Sequence, residues 1–142
     1  MVRIGAGTTA AAALGGASAL HALWATGSSW PKTHPDELAD LVVGRRLMPS
    51  PAVCAAVAGA LAVAAGMTAR AAHGCPDQSD RSRAAATIVS AVLLARGAGG
   101  VVADLAGVVD ATPTFRHWNR RLYNPLCLTL AVLVAAGRRP RP

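Results

Sequence analysis

The chain has 142 residues, of which 53% are apolar and 15% charged, and it carries a formal net charge of +7. That length suits one domain, and such a ratio of apolar to charged residues excludes the usual balance of a soluble globular protein or a disordered chain. The positive charge does not point to nucleic acid, because the basic residues are scattered at the ends of apolar runs and no nucleic-acid motif accompanies them.

Four apolar runs stand out, over residues 4–26, 51–72, 84–109 and 122–137. At 1.5 Å per residue, each of the first three exceeds the roughly 30 Å of a hydrocarbon core. A soluble Ala-rich bundle is the competing reading, and no run shows the polar face it would need. The first run follows Arg3 and passes Ala17-Ser18-Ala19, which imitates a secretory signal. It is longer than a signal core, so an uncleaved first span is expected.

His21 and Trp24 lie at the end of that span, with Trp30, Pro31 and Lys32 just beyond. The second run opens at Ser50-Pro51, a capping side chain before a proline whose fixed φ suits the first helical position. The third holds Arg96 at its middle and Asp104 eight residues later. An ionisable group at such depth is costly in hydrocarbon and marks a functional-site hypothesis. His21 and Asp104 both lie about five residues inside the same interface, roughly 8 Å deep, where they could hydrogen-bond each other. Arg96 lies roughly 12 Å deeper, either reaching towards Asp104 or extending down the bundle, and a simple Arg96–Asp104 neutralisation is the bland alternative. Gly99, Ala103 and Gly107 repeat every four residues, as do Gly15 or Gly16 with Ala12 and Ala19, which predicts packing seams there.

Thr112-Pro113 opens a short amphipathic stretch in which Phe115, Trp118 and Leu122 oppose Arg116, His117 and Arg120. It reads as an interfacial helix. From Pro125 to Gly137 the last run spans only about 20 Å. Either the chain turns inward after the interfacial helix, or one longer helix runs through with a kink at Pro125. All five aromatic residues, Trp24, Trp30, Phe115, Trp118 and Tyr123, fall on one face of the predicted bundle, with His21, His34, His117, Asp104 and Asp110 on or near it. Arg45-Arg46-Leu47-Met48 before Ser50-Pro51 resembles Arg120-Arg121-Leu122-Tyr123 before Asn124-Pro125, with Cys54 and Cys127 following in turn. A duplicated helical hairpin is an open alternative.

With an even number of spans, both termini share a side bearing Arg3, Arg70, Arg81, Arg83, Arg138, Arg139 and Arg141. The other side bears Lys32, Arg45, Arg46, Arg116, Arg120 and Arg121, so the charge bias only weakly favours cytoplasmic termini. Val2-Arg3-Ile4-Gly5-Ala6-Gly7 imitates a dinucleotide fingerprint but lacks its strand, third glycine and acidic partner. The three cysteines form no Cys-x-x-Cys pair, and His and Cys spacing gives no metal pattern. Cys54 and Cys127 fall at similar depth and read as buried inert thiols, with a disulfide between them as the alternative if that face is oxidising. No catalytic motif is recognisable, and no cofactor is expected.

His21-x-x-Trp24 with Trp30-Pro31, Arg96-Gly97, Phe115 and Tyr123-Asn124-Pro125-Leu126-Cys127 together resemble the bacterial domain of unknown function 3995, a family of small multi-pass membrane proteins. The resemblance covers nearly the whole chain. It implies membrane location and a four-helix plan without an established activity. It also implies an acidic residue at position 119 and serine at 124, where this chain has Asn119 and Asn124. The expectation is an all-α, four-span integral membrane bundle of one domain, over residues 1–142. Its candidate polar site comprises His21, Arg96, Asp104, Trp24, Trp30, Tyr123 and Asn124, near membrane lipid, and would bind or pass a small anion, proton or lipid headgroup. The alternative is an accessory subunit that packs on a membrane protein partner, or on its own copies, through small-residue seams and Arg96.

Overall fold

The protein is described by a computed structural model covering residues 2–73, 80–108 and 110–137. Its elements, in order, are α1 (Val2–Ala25), α2 (Pro35–Val42), α3 (Pro51–His73), α4 (Asp80–Leu105), α5 (Pro113–Trp118), a π turn (Asn119–Tyr123) and α6 (Asn124–Gly137). No strand occurs among the described residues. Two helices, over Pro51–His73 and Arg81–Leu105, are long and apolar enough to cross a membrane by length and composition.

Capping chemistry sets several boundaries. Ser50 Oγ accepts the Val53 N–H at 3.4 Å ahead of Pro51, and Thr112 Oγ1 accepts the Phe115 N–H at 3.3 Å ahead of Pro113. Each hydroxyl satisfies a donor that has no partner within the first helical turn, while proline supplies a residue with none to satisfy. α4 begins at Asp80 and ends at Leu105, both four residues earlier than the apolar run suggested. The chain leaves it through Gly107 at φ +68°, with the Gly107 N–H on Asp104 O and the Val108 N–H on Ala103 O. This paired closure is a left-handed C-terminal cap. Val109, Cys75, Arg138, Arg139 and Arg141 lie outside the described residues.

The four long helices form a ring in which α1 packs on α3, α3 on α4, α4 on α6 and α6 on α1. Ala10, Leu14, Ala71, Ala86, Leu130 and Val134 are buried at its centre. Small side chains let the backbones approach closely, and hydroxyls then tie the pairs: Ser18 Oγ donates to Ala58 O and Ser90 Oγ to Ala131 O, each at 2.8 Å. These two bonds stand 72 and 73 residues apart in sequence, one in each helical pair.

The packing seams run elsewhere than the four-residue repeats suggested. Gly15, Gly16 and Gly99 have nothing within 4 Å of a Cβ added to them, and Gly107 ends α4. The α4 seam instead follows Ala86, Ser90, Leu93, Gly97 and Gly100. Alternating steps of three and four track the axis of a neighbouring helix, whereas a strict step of four drifts off it.

α5, the π turn and α6 follow one another without a break from Pro113 to Gly137. The longer-helix alternative describes this segment better than an interfacial helix that ends before a turn. Pro125 has no N–H, and one residue earlier the Asn124 N–H reaches back five residues to Asn119 O. The irregularity is thus a π bulge just ahead of the proline.

Candidate functional site

The aromatic end of the ring is roofed by α2, which buries Leu38 and Ala39 completely. Thr112 joins the roof to α5: its N–H donates to Gly44 O at 3.1 Å and its hydroxyl to Asp40 O at 3.3 Å. Tyr123 O–H adds a bond to Leu41 O at 3.1 Å. Gly44 has φ +77°, and a Cβ there would lie 2.8 Å from both Ala111 Cβ and Phe115 Cγ, so glycine permits the turn and the docking together. The hydroxyls of Thr112 and Thr114 hold the Asp40 carboxyl below its ordinary 3.8, with smaller help from Arg46 and Lys32. A depressed carboxyl contributes stability above its unfolded value and loses it as pH falls through the folded value. The roof therefore keeps this contribution down to about pH 4. Thr112→Val is expected to cost about 1 kcal/mol through the lost cap. It should also move the Asp40 carboxyl back towards its ordinary value; chemical denaturation and carboxyl NMR titration check the two effects.

Beneath the roof, Arg96 reaches from α4 to the π bulge. Its Nη1 donates to Asn124 Oδ1 and its Nη2 to Asn119 Oδ1, both at 3.0 Å. A guanidinium only donates, which fixes both carboxamides oxygen-first. Five residues apart on a regular α-helix, these side chains would diverge by about 140°; the wider π turn brings both to one guanidinium. Asn119 and Asn124 are 3% and 1% exposed, and Asn124 Nδ2 is buried without a hydrogen-bond partner. Such an orphaned donor costs about 1–3 kcal/mol. The carboxamide faces Arg96 despite that penalty.

The close approach needed for this clamp comes from glycine. A Cβ at Gly100 would collide with Asn124 Oδ1 and lie 2.7 Å from Arg96 Nη1, and one at Gly97 would lie 2.8 Å from Leu128 Cγ. Among the described residues, the hydrogen-bond partners of Arg96 are these two neutral carboxamides, so no carboxylate offsets its charge through them.

Arg96 opens onto a cavity of about 320 Å³, shared with His21 and Trp24 of α1 and with Tyr123. Val42 and Val43 at the end of the roof helix, with Met48, Pro49 and Cys54, complete the wall. His21 Nδ1 is 2.8 Å from Ala17 O, and its ring lies 4.9 Å from that of Trp24. Trp24 Nε1 donates to Trp30 O at 2.8 Å.

Four of the seven candidate residues, His21, Trp24, Arg96 and Tyr123, thus line one cavity, and Asn124 holds the arginine. Trp30 contributes its backbone carbonyl while its side chain is exposed. Asp104 departs from the expected arrangement. It meets neither His21 nor Arg96 through a hydrogen bond, and its carboxylate pairs with Arg120 instead. The cause is the π bulge, which places Arg120 beside the end of α4 while His21 turns to its own helix backbone. Asp104 and Arg120 line a separate cleft with Val101, Leu105 and Asn124. Asn119, Met48 and the Val42–Val43 pair were missed by sequence reasoning. For Asn119, the available signal was two asparagines five residues apart just before a proline.

Two other open depressions carry charged side chains in their walls. One of about 470 Å³ on the outer side of the roof mixes Asp36, Glu37 and Asp40 with Arg46, and one of about 440 Å³ follows Arg116, His117, Arg120 and Arg121. In the first, charges of both signs offset one another. Cys54 and Cys127 are free thiols, and no group of three or more His, Cys, Asp or Glu among the described residues converges to hold a metal ion.

Comparison with known proteins finds no match among curated proteins or solved structures. Residues 14–134 match the family described as protein of unknown function DUF3995. That span takes in α2 to α5, most of α6, the second half of α1 and every residue of the Arg96 clamp and its cavity, and the chain is a member of the DUF3995 family.

Proposed function

We propose that the protein is a four-span integral membrane protein whose roofed cavity binds an anion through Arg96. The observation that carries this reading is a guanidinium held by two neutral carboxamides, with three of its five donors still available. A cation left at such depth without an acidic partner is costly, and an anionic ligand removes that cost. The pairing of Asp104 with Arg120 favours the same reading, because it takes away the nearest acid in α4.

The four-span plan joins the two apolar helices to α1, whose 24 residues extend about 36 Å, and to the 25 residues from Pro113 to Gly137. The two matched serine bonds support a pair of related hairpins, α1 with α3 and α4 with α6. The basic cleft along Arg116, His117, Arg120 and Arg121 then faces the headgroup layer, where cations are favoured.

The test is thermal stability of the reconstituted protein against a panel of anions, wild type beside Arg96→Gln. Anions should raise the melting temperature of the wild type only, because binding to the native state alone stabilises it. If no anion shifts the wild type, the reading is wrong. The open Gly15, Gly16 and Gly99 surfaces would then favour an accessory subunit that packs another helix there.

A further inference from the structure

We infer that the ligand of the Arg96 cavity is a medium-chain monocarboxylate, a carboxylate head with an unbranched apolar chain. This rests on the reading that Arg96 binds an anion and names its chemical class from the rest of the wall.

The side chains of the wall direct their polar hydrogens at backbone carbonyls. Trp24 Nε1–H is committed to Trp30 O and Tyr123 O–H to Leu41 O. The bond between His21 Nδ1 and Ala17 O makes Nδ1 a donor to its own helix, since a carbonyl only accepts. Cys54 Sγ points its weak donor at Pro49 O. What remains for a ligand is the exposed fork of Arg96 beside a half-open wall of valine, methionine, proline and aromatic surface.

A hydrated inorganic anion matches such a wall poorly. Phosphate brings several acceptor oxygens, and any that Arg96 does not reach and that turn to the apolar wall would lack donors, at about 1–3 kcal/mol for each one cut off from water. A carboxylate has two oxygens, which one guanidinium can take in parallel. Its methylenes would then leave water against Val42, Val43 and Met48. The cavity of about 320 Å³ has room for roughly ten non-hydrogen atoms, at about 30 Å³ each. Octanoate has that size. A phospholipid headgroup with its glycerol esters exceeds both the room and the polar partners.

The experiment is calorimetric titration of the full-length protein in nanodiscs with acetate, butanoate, hexanoate, octanoate and decanoate, beside inorganic phosphate and octan-1-ol. Affinity should rise by about 4-fold per methylene and stop rising at octanoate. Phosphate and octan-1-ol should bind at least about 10-fold more weakly than octanoate, since each lacks one of the two matched features. Arg96→Gln should remove the response. Met48→Trp, which fills the apolar end, should stop the gain at a shorter chain. This second variant carries the test if Arg96→Gln fails to fold.

Phosphate binding that depends on Arg96, without any gain from chain length, would overturn the carboxylate inference and leave the anion reading standing. A chain-length gain that octan-1-ol shares and Met48→Trp does not shorten would mean partition into apolar surface, and would overturn it too. Silence of every compound against the wild type would overturn both.

Discussion

Asn119→Asp is expected to weaken anion binding by about 10-fold or more while leaving the fold intact. The two side chains have nearly the same shape, and position 119 already places an oxygen 3.0 Å from Arg96 Nη2. The change therefore adds a negative charge at the guanidinium without moving an atom. Two unit charges about 4 Å apart attract by about 1 to 4 kcal/mol as the effective dielectric falls from 80 to 20. An incoming anion must compete with that attraction, so affinity should fall by about 10-fold or more. The stability of the unliganded protein should change little, because the stronger charge-assisted bond is opposed by the cost of burying a carboxylate.

Asn119→Ala separates charge from clamping. It removes one partner and should destabilise the protein by about 1–3 kcal/mol, yet it leaves the positive charge in place and anion binding measurable. If Asn119→Asp binds anions as tightly as the wild type, the charge of Arg96 does not determine binding and the proposed function fails.

Gly100→Ala should damage the same site by a different route. Its methyl would occupy space held by Asn124 Oδ1 and Arg96 Nη1, and Asn124, 1% exposed at the head of α6, has nowhere to retreat. Overpacking of this kind costs about 1–3 kcal/mol. Because the collision falls on the clamp itself, anion affinity should drop together with stability. Gly99→Ala, one residue earlier, faces open space and should be neutral or stabilising by up to about 1 kcal/mol, through the better helix propensity of alanine. Equal effects of the two substitutions on the melting temperature would show that the α4–α6 seam does not run through Gly100.

Much of the outline was written in local chemistry. Ser50-Pro51 and Thr112-Pro113 mark helix starts because a capping hydroxyl and a missing N–H act within one turn. The long apolar runs mark α1, α3 and α4, since hydrophobic runs and helical rise depend only on neighbouring residues. Arg96 stood out because a guanidinium amid an apolar run is costly wherever the helix packs. The grouping of His21, Trp24 and Tyr123 on its side of the molecule followed from counting helix lengths.

What the sequence by itself determined, then, is a helical chain of the DUF3995 family with a charged residue in an apolar run and an aromatic end. Only the tertiary structure decided which groups meet. Asp104 pairs with Arg120 instead of His21, and Asn119 joins Asn124 on Arg96, because a π bulge ahead of Pro125 rewinds five residues. The seam through Gly97 and Gly100, in place of Gly99, likewise depends on the rotation of α4 against α6. Sequence spacing fixes residues around one helix axis, but the phase between two helices is set by all their contacts at once. Partner choice in a bundle depends on that phase.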